Sequence, residues 1–258
     1  MTETKKTLAI FKARWQEVTL LMGLGVLSLF FNKLLQIVRA KTTPPQDWID
    51  LGFIMALIVI IALLTIGFQR TACLEGQRRQ SPLILFGIGM QFFWRMVILY
   101  LIYILVIGIL VWLTFLGIKL FISIETGFWQ TYKNAPIVYH LCFTMPAIIL
   151  IKPLLLAPPL IIVLNCQVSQ SFKLLKQCKL RDAKELVILY LISIAVAFLP
   201  SIESTTTTSQ YVLIVALSII QQFIGLMIAV MAVRFVASLN LVYDDGSKSV
   251  DSKTLLKL

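Results

Sequence analysis

The stretch Met96–Leu120, MVILYLIYILVIGILVWLTFLGIKL, decides the fold class. Its one charge is Lys119, and its apolar residues run on without the alternation of a barrel strand. About 20 such residues cross the ~30 Å hydrocarbon layer as a helix, because a helix satisfies its own backbone N–H and C=O groups. Blocks of the same kind recur outward from it at Val18–Val38, Ile49–Phe68, Met145–Leu164, Leu186–Ile202 and Tyr211–Leu239. Together they predict an all-α, polytopic membrane helical bundle of about six transmembrane helices. Composition agrees. The 258 residues are 59% hydrophobic and 14% charged, against about 25% charge in a soluble domain. Residues 1–258 therefore read as a single integral membrane domain. Residues 240–258 read as a mobile cytoplasmic tail, opened by the turn signal Asp244-Asp245-Gly246-Ser247.

The basic residues predict an orientation. Under six spans, seventeen of the 23 Lys and Arg residues fall on one side, among them Lys5, Lys12, Arg14, Arg70, Arg78, Arg79, Arg95, Lys173, Arg181 and Arg234. Only Arg39, Lys41, Lys119 and Lys133 fall on the other. By the positive-inside rule both termini are expected in the cytoplasm, with the chain in a bacterial inner (plasma) membrane. The net charge of +11 is then explained by anionic lipid headgroups at the cytoplasmic face. No zinc-ribbon spacing or aromatic-basic interleaving suggests a nucleic-acid partner. Cys73, Cys142, Cys166 and Cys178 read as free thiols, and with His140 the lone histidine they form no zinc set. No cofactor motif is present.

Short cytoplasmic segments precede the odd-numbered spans. Leu8, Phe11 and Trp15 recur at helical spacing among basic residues; so do Val168, Phe172, Leu175 and Cys178 beside Lys173, Lys176 and Lys179. Leu85, Phe86, Met90, Phe93 and Trp94 form a more apolar version ending at Arg95. Such segments read as helices lying in the membrane interface. Val97–Ile102 is repeated letter for letter at Val187–Ile192. The echo suggests a threefold repeat of interfacial helix plus hairpin, with units 5–68, 83–164 and 168–239.

The run Ala157-Pro158-Pro159-Leu160-Ile161-Ile162-Val163 is followed by a polar, basic segment through Ser169 and Ser171–Lys176 and then by a new span. Over residues 140–200 this resembles bacterial multi-span proteins of the glycerophosphoryl diester phosphodiesterase membrane-domain type. The resemblance implies a polytopic bundle with cytoplasmic interfacial helices. It contains no catalytic motif and implies no catalytic residue.

Four polar residues stand out at membrane depth. Lys152 lies near the middle of the fourth span, where an ammonium costs about 2.5–3.5 kcal/mol. Pro153, Pro158 and Pro159 leave the carbonyls of Ile149, Leu154 and Leu155 without their helical donors. Lys152 therefore either donates to such a carbonyl or lines a polar path, or else it snorkels to a headgroup. Gln221 and Gln222 lie in the sixth span about 100° apart, so at least one is expected to face another helix. Asn165 is similar, closer to the cytoplasmic edge. Phe128 and Trp129 on the external segment, with Phe172, Lys173 and Lys176 on the inner one, are candidate partner or lipid contacts. The glycines show no four-residue pair on one helix.

No nucleophile–base or metal set appears, so an enzyme is not expected. The leading expectation is a non-enzymatic integral membrane subunit or scaffold of a multi-protein complex, with lipids and a protein as partners. The alternative is a transporter or permease component for a small or amphiphilic substrate.

Overall fold

The structure is a computed structural model and describes residues 2–39, 47–122, 136–198, 208–239, 241–244 and 249–251. It is helical almost throughout. In chain order the helices are α1 (Glu3–Ala13), α2 (Trp15–Arg39), α3 (Asp47–Leu74), α4 (Pro82–Ile122), α5 (Pro136–Ile149), α6 (Ile151–Leu164), α7 (Val168–Leu175), a 3-10 turn (Leu180–Ala183), α8 (Lys184–Phe198) and α9 (Thr208–Ser238). A two-stranded antiparallel ladder, β1 (Val242–Asp244) with β2 (Ser249–Asp251), follows, with Val242 opposite Asp251 and Asp244 opposite Ser249.

Local chemistry sets the helix boundaries. Gly76, with φ of +59°, turns the chain after α3 in the left-handed conformation that glycine adopts freely. Ser81 then caps α4, its hydroxyl accepting from the Ile84 amide at 3.4 Å, and Pro82 occupies the first helical position, where no amide hydrogen is needed. α7 opens with a reciprocal capping box between Gln167 and Gln170. α6 ends at Asn165, whose φ of 53° marks a left-handed C-cap.

α6 is the centre of the bundle. Leu155, Leu156, Ala157 and the run Pro159–Leu164 are all buried. Around it close α3, α4, α7 and α9, joined into one hydrophobic core with Phe11 of α1, Leu21 of α2 and Leu186 of α8. α3 and α4 form a tight antiparallel hairpin. A β-carbon on Gly67 would overlap the Leu85 carbonyl, and one on Gly89 would overlap the Leu63 carbonyl.

The expectation of six membrane spans is corrected. Among the described residues three helices are long and apolar enough to cross: Met55–Leu74, Pro82–Ile118 and Val215–Ser238. A fourth is reached only if Cys142–Ile149 and Ile151–Leu164, bent by 56°, count as one broken span. Two blocks fall short for physical reasons, and the first lies only partly within the described residues. The fourth block breaks at Leu150, ahead of Lys152 and Pro153, so neither half is long enough alone. In the fifth, α8 has 15 residues and reaches only about 22 Å, short of the ~30 Å hydrocarbon layer; residues 199–202 lie outside the described set. In the first, α2 has described side chains only as far as Ser28.

α1 and α7 are separate short helices ahead of α2 and α8, whereas residues 83–95 are the opening turns of the 41-residue α4, so no interfacial helix stands apart there.

Candidate functional site

The charged residues gather at the end of the bundle where α3 finishes, α4 begins and α6 finishes. A helix C-terminus leaves its last carbonyls without intrahelical donors, and the aligned peptide dipoles make that end attractive to cations. Two arginines from different helices occupy this position on α6. Arg70 of α3 donates from one terminal nitrogen to the carbonyls of Ile162 and Val163, at 2.5 Å each, and its guanidinium lies 5.8 Å from the centre of the Phe92 ring. Arg95 of α4 donates to the Asn165 carbonyl at 2.9 Å and to its side-chain oxygen. Asn165 is therefore the left-handed cap of α6, held from outside by a cation.

A second polar knot joins α1, α2 and the α3–α4 turn. Arg14, at 0% exposure, donates to the Glu17 carboxylate and, at 2.8 Å, to the Thr71 hydroxyl. Its guanidinium stacks 4.6 Å from the centre of the Phe68 ring. The other Glu17 oxygen accepts from the Gln80 amide at 2.8 Å. Arg79 donates to the Ala13 carbonyl at 3.0 Å. Removing one member of such a buried pair strands the other, at a cost of about 3–5 kcal/mol.

The start of α1 is held by two carboxylates. Glu185, at the head of α8, accepts from the Thr4 amide at 3.0 Å and from the Thr4 hydroxyl at 2.7 Å. This is an N-terminal cap supplied from a distant part of the chain. Those hydrogen bonds hold the Glu185 carboxyl below the usual carboxylate range. Glu3 bridges Lys6 at 2.6 Å and Arg234 at 3.3 Å. Burial pushes its carboxyl up, and the two cations outweigh that, leaving it lowered. The Arg234 contact places the N-terminal helix and the end of α9 at the same end of the molecule.

The residues singled out in the sequence land in different places. Lys152 is half-buried in the first turn of α6 and donates no hydrogen bond among the described residues. The neighbouring Pro153 carbonyl accepts instead from the Tyr103 hydroxyl at 2.7 Å. The Lys152 charge is felt at Cys178, whose thiol is raised by burial and partly pulled back by that ammonium. Burial likewise lifts Cys166 to about 11. All four cysteines are free. Gln221 is exposed, whereas Gln222 turns inward onto Gly25 of α2. On α7, Ser171, Leu174 and Leu175 are buried, Phe172 packs against the core, and Lys173 and Lys176 are exposed. Phe128 and Trp129 lie outside the described residues. On α1 the buried face is Thr7, Ile10, Phe11 and Arg14, not the Leu8–Phe11–Trp15 stripe; Leu8 and Trp15 are exposed.

Sequence reading took Arg70 and Arg95 as loop charges and overlooked their capping role. The available signal was Asn165, since asparagine directly after an apolar helix marks a C-cap. Arg14 was likewise read as a charge for lipid headgroups, although it continues the Thr7–Ile10–Phe11 face by one further turn. Among the described residues no group of His, Cys, Asp or Glu is arranged to hold a metal. The chain matches no protein-family model, no curated protein and no solved structure.

Proposed function

We propose that the protein is a non-enzymatic integral membrane subunit, with its basic end toward the anionic cytoplasmic face and a lateral protein partner along α4. The observation that carries this reading is the length of apolar α4. Its span-competent stretch covers 37 residues, or about 55 Å of helix. A ~30 Å hydrocarbon layer accommodates about 39 Å even at a tilt near 40°. Nor does this chain cover the remainder: from Leu83 through Met90, Trp94, Ile98, Leu101, Leu105 and Trp112 to Leu116, apolar side chains are exposed in one stripe about 50 Å long, so whichever ~39 Å lies in lipid, part of the stripe stays outside it. Apolar surface that neither lipid nor its own bundle covers calls for protein.

The polar groups support the same reading. Arg14, Arg70, Arg95, Glu3 and Glu185 are engaged in holding helix ends, an architectural use of charge. The exposed Lys173 and Lys176 above the buried face of α7 suit an interfacial helix against anionic headgroups. Native mass spectrometry from mild detergent tests the proposal. An assembly containing a second polypeptide in fixed ratio is expected; a bare monomer under all gentle conditions contradicts it.

Transport of an amphiphile, the alternative, is favoured by one observation: two cavities meet between α3 and α9 at Thr65 and Gly225. Flux of a labelled amphiphile across reconstituted vesicles, absent from protein-free ones, would raise it above the subunit reading.

A further inference from the structure

The seam between α3 and α9 contains a cavity of about 330 Å³ on the α2 side and one of about 260 Å³ on the side of α4 and α6. Thr65 and Gly225 line both. Together they fall within the ~300–1,000 Å³ range of small-molecule pockets. Most of the lining is apolar, from Leu21, Ile58 and Ile61 in the first cavity to Met96, Pro158 and Ile228 in the second.

The polar atoms of the first cavity divide sharply. The Ser28 hydroxyl donates to the Gly25 carbonyl at 2.6 Å, and the Thr65 hydroxyl to the Ile61 carbonyl at 2.7 Å. The Gln222 side-chain oxygen is buried and has no partner among the described residues. A buried acceptor without a donor is an unfavourable state that a ligand O–H or N–H relieves. From Gln222 to Ala232 the seam follows α9 for about 15 Å, half of a ~30 Å hydrocarbon layer and so the reach of one acyl chain.

We infer that this seam binds a single-chain amphiphile, its hydroxyl donating to the Gln222 oxygen once that side chain turns from Gly25 into the cavity it lines, and its tail running past Gly225 toward Pro158 and Ala232. Both walls belong to span-length apolar helices, Met55–Leu74 and Val215–Ser238, so the ligand enters from the bilayer. The inference needs those helices in a membrane and does not depend on the subunit assignment.

Gly225 provides the test. A β-carbon there meets nothing within 4 Å, and Gly225 lines both cavities, so Gly225→Phe adds bulk where the two meet. The probe is a long-chain alcohol carrying a diazirine, applied to the purified full chain in mild detergent, with adducts located by peptide mass spectrometry. Saturable labelling of the 55–74 and 215–238 peptides is expected, competed by unlabelled alcohol about fivefold better than by its methyl ether, the worth of one neutral hydrogen bond. Gly225→Phe, with an unchanged melting temperature, is expected to abolish the saturable component. If that variant does not fold, Gln222→Leu serves: it is expected to retain labelling and lose the preference for alcohol over ether. Labelling that does not saturate, equals that on the exposed α4 stripe, or is indifferent to the substitution made overturns the inference. Because none of these readouts involves a second polypeptide, failure here leaves the partner experiments standing.

Discussion

Gly67 of α3 lies directly against the backbone carbonyl of Leu85 on α4, with no room for a β-carbon. The reciprocal contact, Gly89 against Leu63, is displaced by four residues on each helix. The two glycines thus form one small-residue face split between two antiparallel helices. Close backbone approach of this kind increases dispersion contact where lipid and side chains are equally apolar.

Gly67→Ala and Gly89→Ala are expected to destabilise the α3–α4 hairpin by about 1–3 kcal/mol or more, the range for overpacking a filled site. Gly87→Ala is the control, since a β-carbon there meets nothing within 4 Å. Thermal melting of the three variants in one detergent checks the order. Equal melting temperatures would show that the hairpin is looser than described.

The arginine cap on α6 predicts a second asymmetry. Arg70→Met removes two hydrogen bonds from a cation and should cost about 1.5–3 kcal/mol, whereas Lys173→Met, at an exposed site, should change stability by less than about 0.5 kcal/mol. Asn165→Gly keeps the left-handed cap. Asn165→Val, strained in that region, should lose about 1–2 kcal/mol. Denaturant or thermal unfolding measures all four.

Acid should release the N-terminal helix. Glu3 and Glu185 both titrate lower in the folded chain than in the unfolded one. Their contacts therefore contribute fully above the unfolded value of about 4.3 and are lost as pH falls through the lower folded values. Protection over residues 3–13, corrected for the intrinsic exchange rate at each pH, should fall below about pH 4, while protection in α6 is unchanged. A double Glu3→Gln, Glu185→Gln variant should exchange rapidly at neutral pH and show no further acid step.

Lys152→Met separates a working site from an awkward boundary. With no hydrogen bond among the described residues to lose, the half-buried ammonium is expected to be dispensable: abundance stays the same or rises, because a desolvation cost disappears. The Cys178 thiol, no longer facing that charge, should titrate higher. A fall in abundance would instead show that Lys152 holds the start of α6.

The legible part of this fold was what hydropathy controls. Continuous apolar runs announced helices, and the spacing of Phe172 and Leu175 against Lys173 and Lys176 announced the buried and exposed faces of α7. Span number was overestimated because hydropathy does not report continuity: the 56° bend in the fourth block follows from chain geometry near Leu150, inside an uninterrupted apolar string. The glycine face went unread because its members lie on separate helices, where spacing along the chain carries no information. At least one of Gln221 and Gln222 was expected to face another helix; which glutamine turned inward, and onto which glycine, depends on rotation about the helix axis. The arginine cap is a contact between Arg70 and residues more than ninety positions away, invisible to any local pattern.

The most direct test of the subunit account is site-specific photocrosslinking along α4 in intact membranes. A photoreactive residue placed at Leu83, Leu101 or Leu116, exposed positions spread over about 50 Å of α4, should yield the same discrete protein adduct from each position, with none from Lys176 on the basic surface. Adducts to lipid alone at all three stripe positions would contradict the account, since α4 would then be covered by the bilayer without a partner.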